Sequence, residues 1–331
     1  MISKNLVFCL LAIVVLASCG KKQSSTSIGK SSEILVVSDS STWQSSVGDT
    51  IRSVFMRTQD GFSNSEANFL LRYINESDFD KASHLHHNIL IVDIDSDIVK
   101  GRIETLKDEW AEPQRVVKIK SASDTAFFTL LSKHAEALNE LFEQNERAIA
   151  RIQNAMDRNF ETENFLNQEL GINMVVSNAM HQTRKTNNSV CIGSKVSAEG
   201  LKLIIYTFSY KDSSQLNADN MLVIRKQYFL QNSIGIQSDN NPATFDFLSS
   251  KSMKFIFKGM YAIETRGLCK LEGKRGEIPF VSYTIIDAPR QRVVVFDGYV
   301  NNEEILKRSS IRQLESLILD AEFTFPKAKS N

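Results

Sequence analysis

The sequence predicts an α/β plus α+β fold: an N-terminal, mainly parallel α/β layer, a long connecting helix, and a C-terminal antiparallel sheet packed by helices. Three observations carry this. Between Ile34 and about Leu170, short apolar runs alternate with helix-periodic stretches, as where helices cover a parallel sheet. From Asp124 an apolar stripe of Phe128, Leu131, Leu138, Leu141, Phe142, Ile149, Ile152 and Met156 runs without a Gly or Pro break, at the spacing of one helix face. Beyond Gly171, runs rich in β-branched and aromatic residues follow one another across short turns, the pattern of an antiparallel sheet.

Taken in order, Ile34 to Val37 reads as a strand and Asp49 to Arg57 as a helix with Ile51, Val54 and Phe55 on one face. Strands are expected at Phe69 to Ile74, Asn88 to Ile94 and Val116 to Lys120, with a helix over Ile98 to Trp110. In the second half, strands are expected over Ile172 to Ser177, Val190 to Lys195 and Leu201 to Tyr210, then a helix from Asp219 to Gln231. Met253 to Lys258, Tyr261 to Leu271, Phe280 to Ile286 and Arg292 to Val300 follow as strands, the last two joined by the Asp287-Ala-Pro-Arg290 turn. Ser310-Ile-Arg-Gln313 reads as a capping box opening a final helix that buries Ile311, Leu314, Leu317 and Ile318.

The N-terminus sets the expected location. Lys4 precedes an apolar run from Leu6 to Leu16, too short for the ~20 residues that span a bilayer but suited to a secretory signal. Leu16-Ala-Ser-Cys19 looks like a bacterial lipobox, which makes Cys19 the acylated first residue of the mature chain. Several acyl chains at ~0.8 kcal/mol per buried CH₂ hold firmly where one does not. The expected organisation is therefore a signal peptide over 1–18, a lipidated Cys19 with a flexible tether over 19–32, an α/β domain over 33–170 ending in the long helix, an α+β domain over 171–325, and a tail over 326–331. Only Cys191 and Cys269 remain in the mature body; an envelope location permits a disulfide between them, and two separate small buried residues is the preferred reading.

Composition excludes several classes. With 39 basic and 39 acidic side chains there is no broad positive field for nucleic acid. The charges are unevenly spread: Asp124 to Leu170 carries four basic and nine acidic residues, and Lys251 to Asn331 carries 14 and 10. Gly is 14 and Pro 5, leaving little material for Gly-rich phosphate loops. His84, His86 and His87 cluster, but a zinc site needs three or four ligands in place. Asp93, Asp95, Asp97 and Glu104 imitate a calcium loop, but Ile98 stands at the turn glycine. The chain contains no Gly-x-Ser-x-Gly and no His-Glu-x-x-His, the patterns that bring nucleophile or zinc to one face. No catalytic residue, metal or cofactor is assigned.

In the C-terminal half, Glu264-Thr-Arg266-Gly267-Leu268, Pro279-Phe280-Val281-Ser282, and Lys307-Arg308 with Arg312-Gln-Leu-Glu315 occur in that order, with Asp39, Trp43, Gly48, Asp49 and Arg52 near the start. Together these resemble the Bacteroidetes lipoproteins of domain-of-unknown-function family 4837, over nearly the whole mature chain. The resemblance implies location and fold and brings no activity. Residues 20–26 hold no acid, unlike the acidic run of surface-exposed Bacteroidetes lipoproteins, so the expected place is the outer membrane, facing the periplasm.

The expectation is a membrane-anchored envelope lipoprotein, a non-enzymatic binding or assembly factor. Its partners are the membrane, through the lipid, and an envelope protein, glycan or lipid, with no nucleic acid. The candidate contact surface is Arg266, Phe280, Arg308 and Arg312, because guanidinium forks suit carboxylate and phosphate. The rivals are an enzyme with a dispersed site between the halves, built on His181 or the Glu264/Arg266 pair, and a scaffold acting through the long helix.

Overall fold

The computed structural model describes residues 25–58, 66–194, 200–232, 245–271, 277–301 and 307–325. Two large sheets and two short two-stranded ones occur among the described residues. The N-terminal sheet is built from β2 at Glu33–Ser38, β3 at Leu70–Asn75, β4 at Asn88–Ile94, β5 at Arg102–Lys107 and β7 at Arg115–Ser121, in the order β3-β2-β4-β7-β5. Its pairings are parallel except β5 against β7. Helices α1 (Ser40–Gln44) and α2 (Ser46–Phe55) follow β2, and α3 runs from Asp124 to Met156. Ile51 and Phe55 of α2, with Phe127, Leu131, Leu138 and Phe142 of α3, pack on Ile34, Val36, Leu90 and Val117 of one sheet face.

The C-terminal sheet is antiparallel. Its strands are β9 at Met180–Lys185, β10 at Ser189–Ser194, β11 at Leu201–Ser209, β12 at Phe245–Phe257, β13 at Met260–Leu271, β14 at Ile278–Asp287 and β15 at Arg292–Val300, in the order β12-β13-β14-β15-β11-β10-β9. Helices cover both faces. One face carries α6 (Lys307–Asp320) and α4 (Phe160–Leu170), and the other carries α5 (Ala218–Asn232). Burial on both faces explains why β14 and β15 read as continuous apolar runs rather than alternating ones. The mixed α/β architecture predicted from the sequence is present.

Four expectations need correction. Ile98 to Trp110 contains no helix; β5 occupies its middle. Gly101 and the β-branched Ile103 and Thr105 are weak helix formers, and the open edge of β7 supplies the backbone partners. The strand expected over Ile172 to Ser177 shrinks to β8 (Ile172–Asn173), paired with β16 (Glu322–Phe323), while the polar β9 gave no alternation to read. The domain seam moves forward from residue 170: Leu166 and Leu170 of α4 sit in the C-terminal core with Ile172, Val281 and Leu314. Finally, residues 25–32 are not tether. Strand β1 (Ser25–Thr26) pairs with β6 (Ala111–Glu112), the Ile28 backbone bridges to His86, and the Ser32 amide donates to Glu146 Oε2 at 2.8 Å. These contacts need only backbone and hydroxyls, so low hydrophobicity did not keep the segment loose.

Candidate functional site

Between the halves lies a cleft of about 750 Å³. Its walls come from Arg57 and Thr58 after α2, a polar side of α3 (Glu136, Glu140, Glu143, Arg147), and β12 and β13 (Lys251, Met253, Phe255, Glu264, Arg266). The sequence explains this lining locally. The polar face of α3 repeats acids at three- and four-residue spacing, and β12 and β13 bring alternate side chains to the same side of their sheet.

The charges of the cleft join a buried polar seam. Arg266 ion-pairs with Glu264 on its own strand and with Glu315 on α6. Glu315 also lies 3.5 Å from Arg147, which reaches Glu140 at 2.6 Å and Glu143 at 3.6 Å. Asn68 donates to Glu143 Oε1 at 2.9 Å and accepts from Arg312 Nη2 at 2.8 Å. Arg312 also donates to the Ser32 hydroxyl and lies 4.5 Å over the Phe69 ring. Beyond Ser32, Glu146 accepts from the Asn88 amide at 2.7 Å and pairs with His87 Nε2 at 2.9 Å. One chain of polar contacts thus links the C-terminal sheet, α6, α3 and the N-terminal strap.

Burial and neighbouring charge act against each other along it. Burial pushes the Glu315 carboxyl up, but Arg266, Arg147 and Arg312 outweigh it and hold the group below its ordinary value. Burial pulls Arg147 down, and Glu315, Glu140 and Glu143 lift it above its ordinary value. For Arg312 burial wins, and its guanidinium is lowered despite Glu143, Glu146 and Glu315. The acids facing the cleft are engaged as anionic partners of guanidinium groups, an arrangement suited to holding charged groups in register.

The expected contact surface is therefore placed differently. Of its residues only Arg266 reaches the cleft. Phe280, Arg308 and Arg312 are 1%, 2% and 4% exposed. Phe280 covers Gly267, where an added Cβ would stand 2.6 Å from its ring and 2.1 Å from the Ser249 carbonyl. Arg308 donates to the Ala67 carbonyl at 2.6 Å. Glu66 accepts from the amides of Lys307 and Arg308 at 3.1 and 2.9 Å, so a carboxylate from the other half caps α6. The expected Ser310 capping box is accordingly absent; Ser310 lies inside the helix. These arginines dock the halves together, which a single sequence cannot distinguish from binding an outside anion.

Other candidates separate as well. His84 stacks on Trp110 at 4.3 Å, while His86 pairs with Glu33 at 3.0 Å. Asp93 pairs with Lys120 at 3.2 Å and Glu104 with Arg102 at 2.5 Å. Among the described residues, no group of three His, Cys, Asp or Glu could hold a metal ion. His181 is not among the residues that line the cleft with Glu264 and Arg266. Cys191 and Cys269 are free and buried. Cys19 lies outside the described residues. The sequence reasoning missed Arg57, Glu136, Lys251 and Met253 as cleft residues; only the 3.6-residue charge repeat on α3 hinted at its wall.

Residues 159–319 match the family model described as "Domain of unknown function (DUF4837)". Residues 159–319 belong to the DUF4837 family. The DUF4837 match begins just after α3, and residues 27–156 match a second model, "Domain of unknown function (DUF8532)". Asp39, Trp43, Gly48, Asp49 and Arg52 fall in that second model, so two families tile the body with the junction at the end of α3. No curated protein matches. Among solved structures, a point mutant of protein Mog1 and the Saccharomyces cerevisiae Ran-binding protein Mog1p are similar at 10% and 9% identity. Each covers 46% of this chain and 90% of its own, with a TM-score of 0.31. A protein from Bacteroides thetaiotaomicron covers 46% of this chain and 45% of its own, at 9% identity and a TM-score of 0.21. Likeness at this level transfers neither fold nor function.

Proposed function

We propose that this DUF4837 protein is a lipid-anchored envelope binding factor that takes a segment of a partner protein into the cleft between its halves. The observation that carries the reading is the cleft itself, about 750 Å³ and lined by Arg57, Arg147, Lys251 and Arg266 interleaved with Glu136, Glu140, Glu143 and Glu264. Walls of both signs beside Met253 and Phe255 match a peptide, which carries both charges and apolar groups, better than a uniformly anionic lipid or a neutral glycan. The lipobox at Cys19 supports the anchor, and the acid-free stretch after it supports retention on the periplasmic side.

A photo-crosslinking residue at Met253, exposed on the cleft wall, tests the reading in intact cells. One reproducible protein adduct is expected, absent from the same probe at exposed Val223 on α5. Equal labelling at both positions, or none at Met253, removes the cleft from the proposal. Cys19→Ala should leave the membrane fraction and lose fatty-acid labelling, and protease added to intact cells should spare the wild type.

A further inference from the structure

The docked strap limits how far the body can stand from its anchor. Six residue steps separate Cys19 from Ser25, a reach of about 20 Å when fully extended. Ser25 is no loose end, because Ser25 and Thr26 pair with Ala111 and Glu112. Ser27 then donates to the Glu112 carbonyl at 3.2 Å and Ile28 to the Leu85 carbonyl at 2.8 Å. The surface around these contacts is thereby held near whatever holds Cys19.

That surface has interfacial chemistry. Ile28 is 55% exposed, in a segment otherwise made of Ser, Thr, Gly and Lys. Beside it, Trp110 adjoins β6 and stacks on His84, and Phe79 meets both rings edge-on at 4.5 and 5.8 Å. These rings lie on the second face of the N-terminal sheet. There Leu35, Val37, Ile89 and Val116 have only strand and loop residues as apolar neighbours, whereas α2 and α3 pack on the first face. Amphipathic rings of this kind favour the headgroup level of a bilayer. Charges of both signs neighbour them: Lys118 lies 5.6 Å over the Trp110 ring, and along the chain Asp80 and Lys81 follow Phe79 while Lys107, Asp108, Glu109 and Glu112 flank Trp110. Contact of this composition depends on apolar burial more than on anionic lipid.

We infer that this face, Ile28 with the Phe79–His84–Trp110 cluster, rests on the lipid surface that holds Cys19. The inference depends on the anchor proposed above. It orients the molecule, because Trp43 and Val99 follow the far ends of the parallel strands β2 and β4, and Trp43 packs on the opposite sheet face.

The chain has two tryptophans, and they make the experiment. Full-length acylated protein is placed in phosphatidylcholine vesicles with and without brominated acyl chains. In Trp43→Phe, the Trp110 emission should be lost to the brominated lipid. In Trp110→Phe, the Trp43 emission should persist. A bimane label gives a second reading that spares both tryptophans: on Ile28→Cys it should shift to the blue on anchoring, and on fully exposed Val99→Cys it should not. Buried Cys191 and Cys269 stay silent. Unquenched Trp110 with an unshifted Ile28 label, in protein whose Cys19 carries fatty acid, overturns the docked face and leaves the anchor standing. Equal quenching of both tryptophans also overturns it. Protein without acylation at Cys19 and without quenching overturns both.

Discussion

Glu315 is 1% exposed and is held between Arg266 and Arg147. Truncating one member of such a buried pair leaves the other charges uncompensated, at a cost of about 3–5 kcal/mol. Glu315→Ala should lower the urea midpoint by that amount of stability. Its pH dependence has a defined sign. The folded carboxyl titrates below its ordinary value. Its stabilisation is therefore complete above the unfolded value of about 4.3 and is lost as pH falls through the folded one. Glu315→Gln should flatten the acid limb of the stability curve relative to wild type. Asp297, raised by burial, works the other way, so the comparison between variants carries the result. Residue roles of this kind were only half legible: Arg266, Arg308 and Arg312 stood out, and Glu264 stands two positions from Arg266, but Ala67, Ser32 and Asn68 lie 241 to 280 positions from the arginines they meet.

Among the elements, the strap of residues 25–32 behaves most unlike its composition. Gly29 sits at φ 135°, and a Cβ there would stand 2.6 Å from His87 Nδ1 and 2.8 Å from His86 Nε2. Gly29→Ala should release the strap while the sheets stay intact, at about 1–3 kcal/mol for an unfavourable backbone plus the clash. Hydrogen exchange reports this at the His87 amide, which donates to the Ile28 carbonyl at 2.9 Å. Unchanged protection there would show that the strap is not latched by the histidine pair. The same scale explains β5 and the start of α6. A sheet edge recruited the first, whose β-branched residues suit a strand, and a carboxylate from the other half caps the second, so the deciding partner of each lies outside its own stretch of sequence.

For the whole molecule, α6 joins what the two family models divide. It packs on β14 and β15 through Leu314 and Leu317, and meets α3 through Ser316, bonded to Asn154 at 3.0 Å. With Arg312 bonded to Asn68 and Ser32, neither half can leave without exposing buried charge. Calorimetry should accordingly show one cooperative transition; two separated transitions would mean that the seam contributes little.

The sequence by itself determined the fold class, the long helix, most strands of both sheets and the family, because hydrophobic periodicity and local turn chemistry are short-range properties of the chain. Tertiary structure alone decided that the prominent arginines face inward, that a polar strap docks, and that the cleft is walled by α3 and β12. Those outcomes depend on which distant groups meet. For a charged side chain, the desolvation it suffers and the partner that compensates it are set only after the elements have packed.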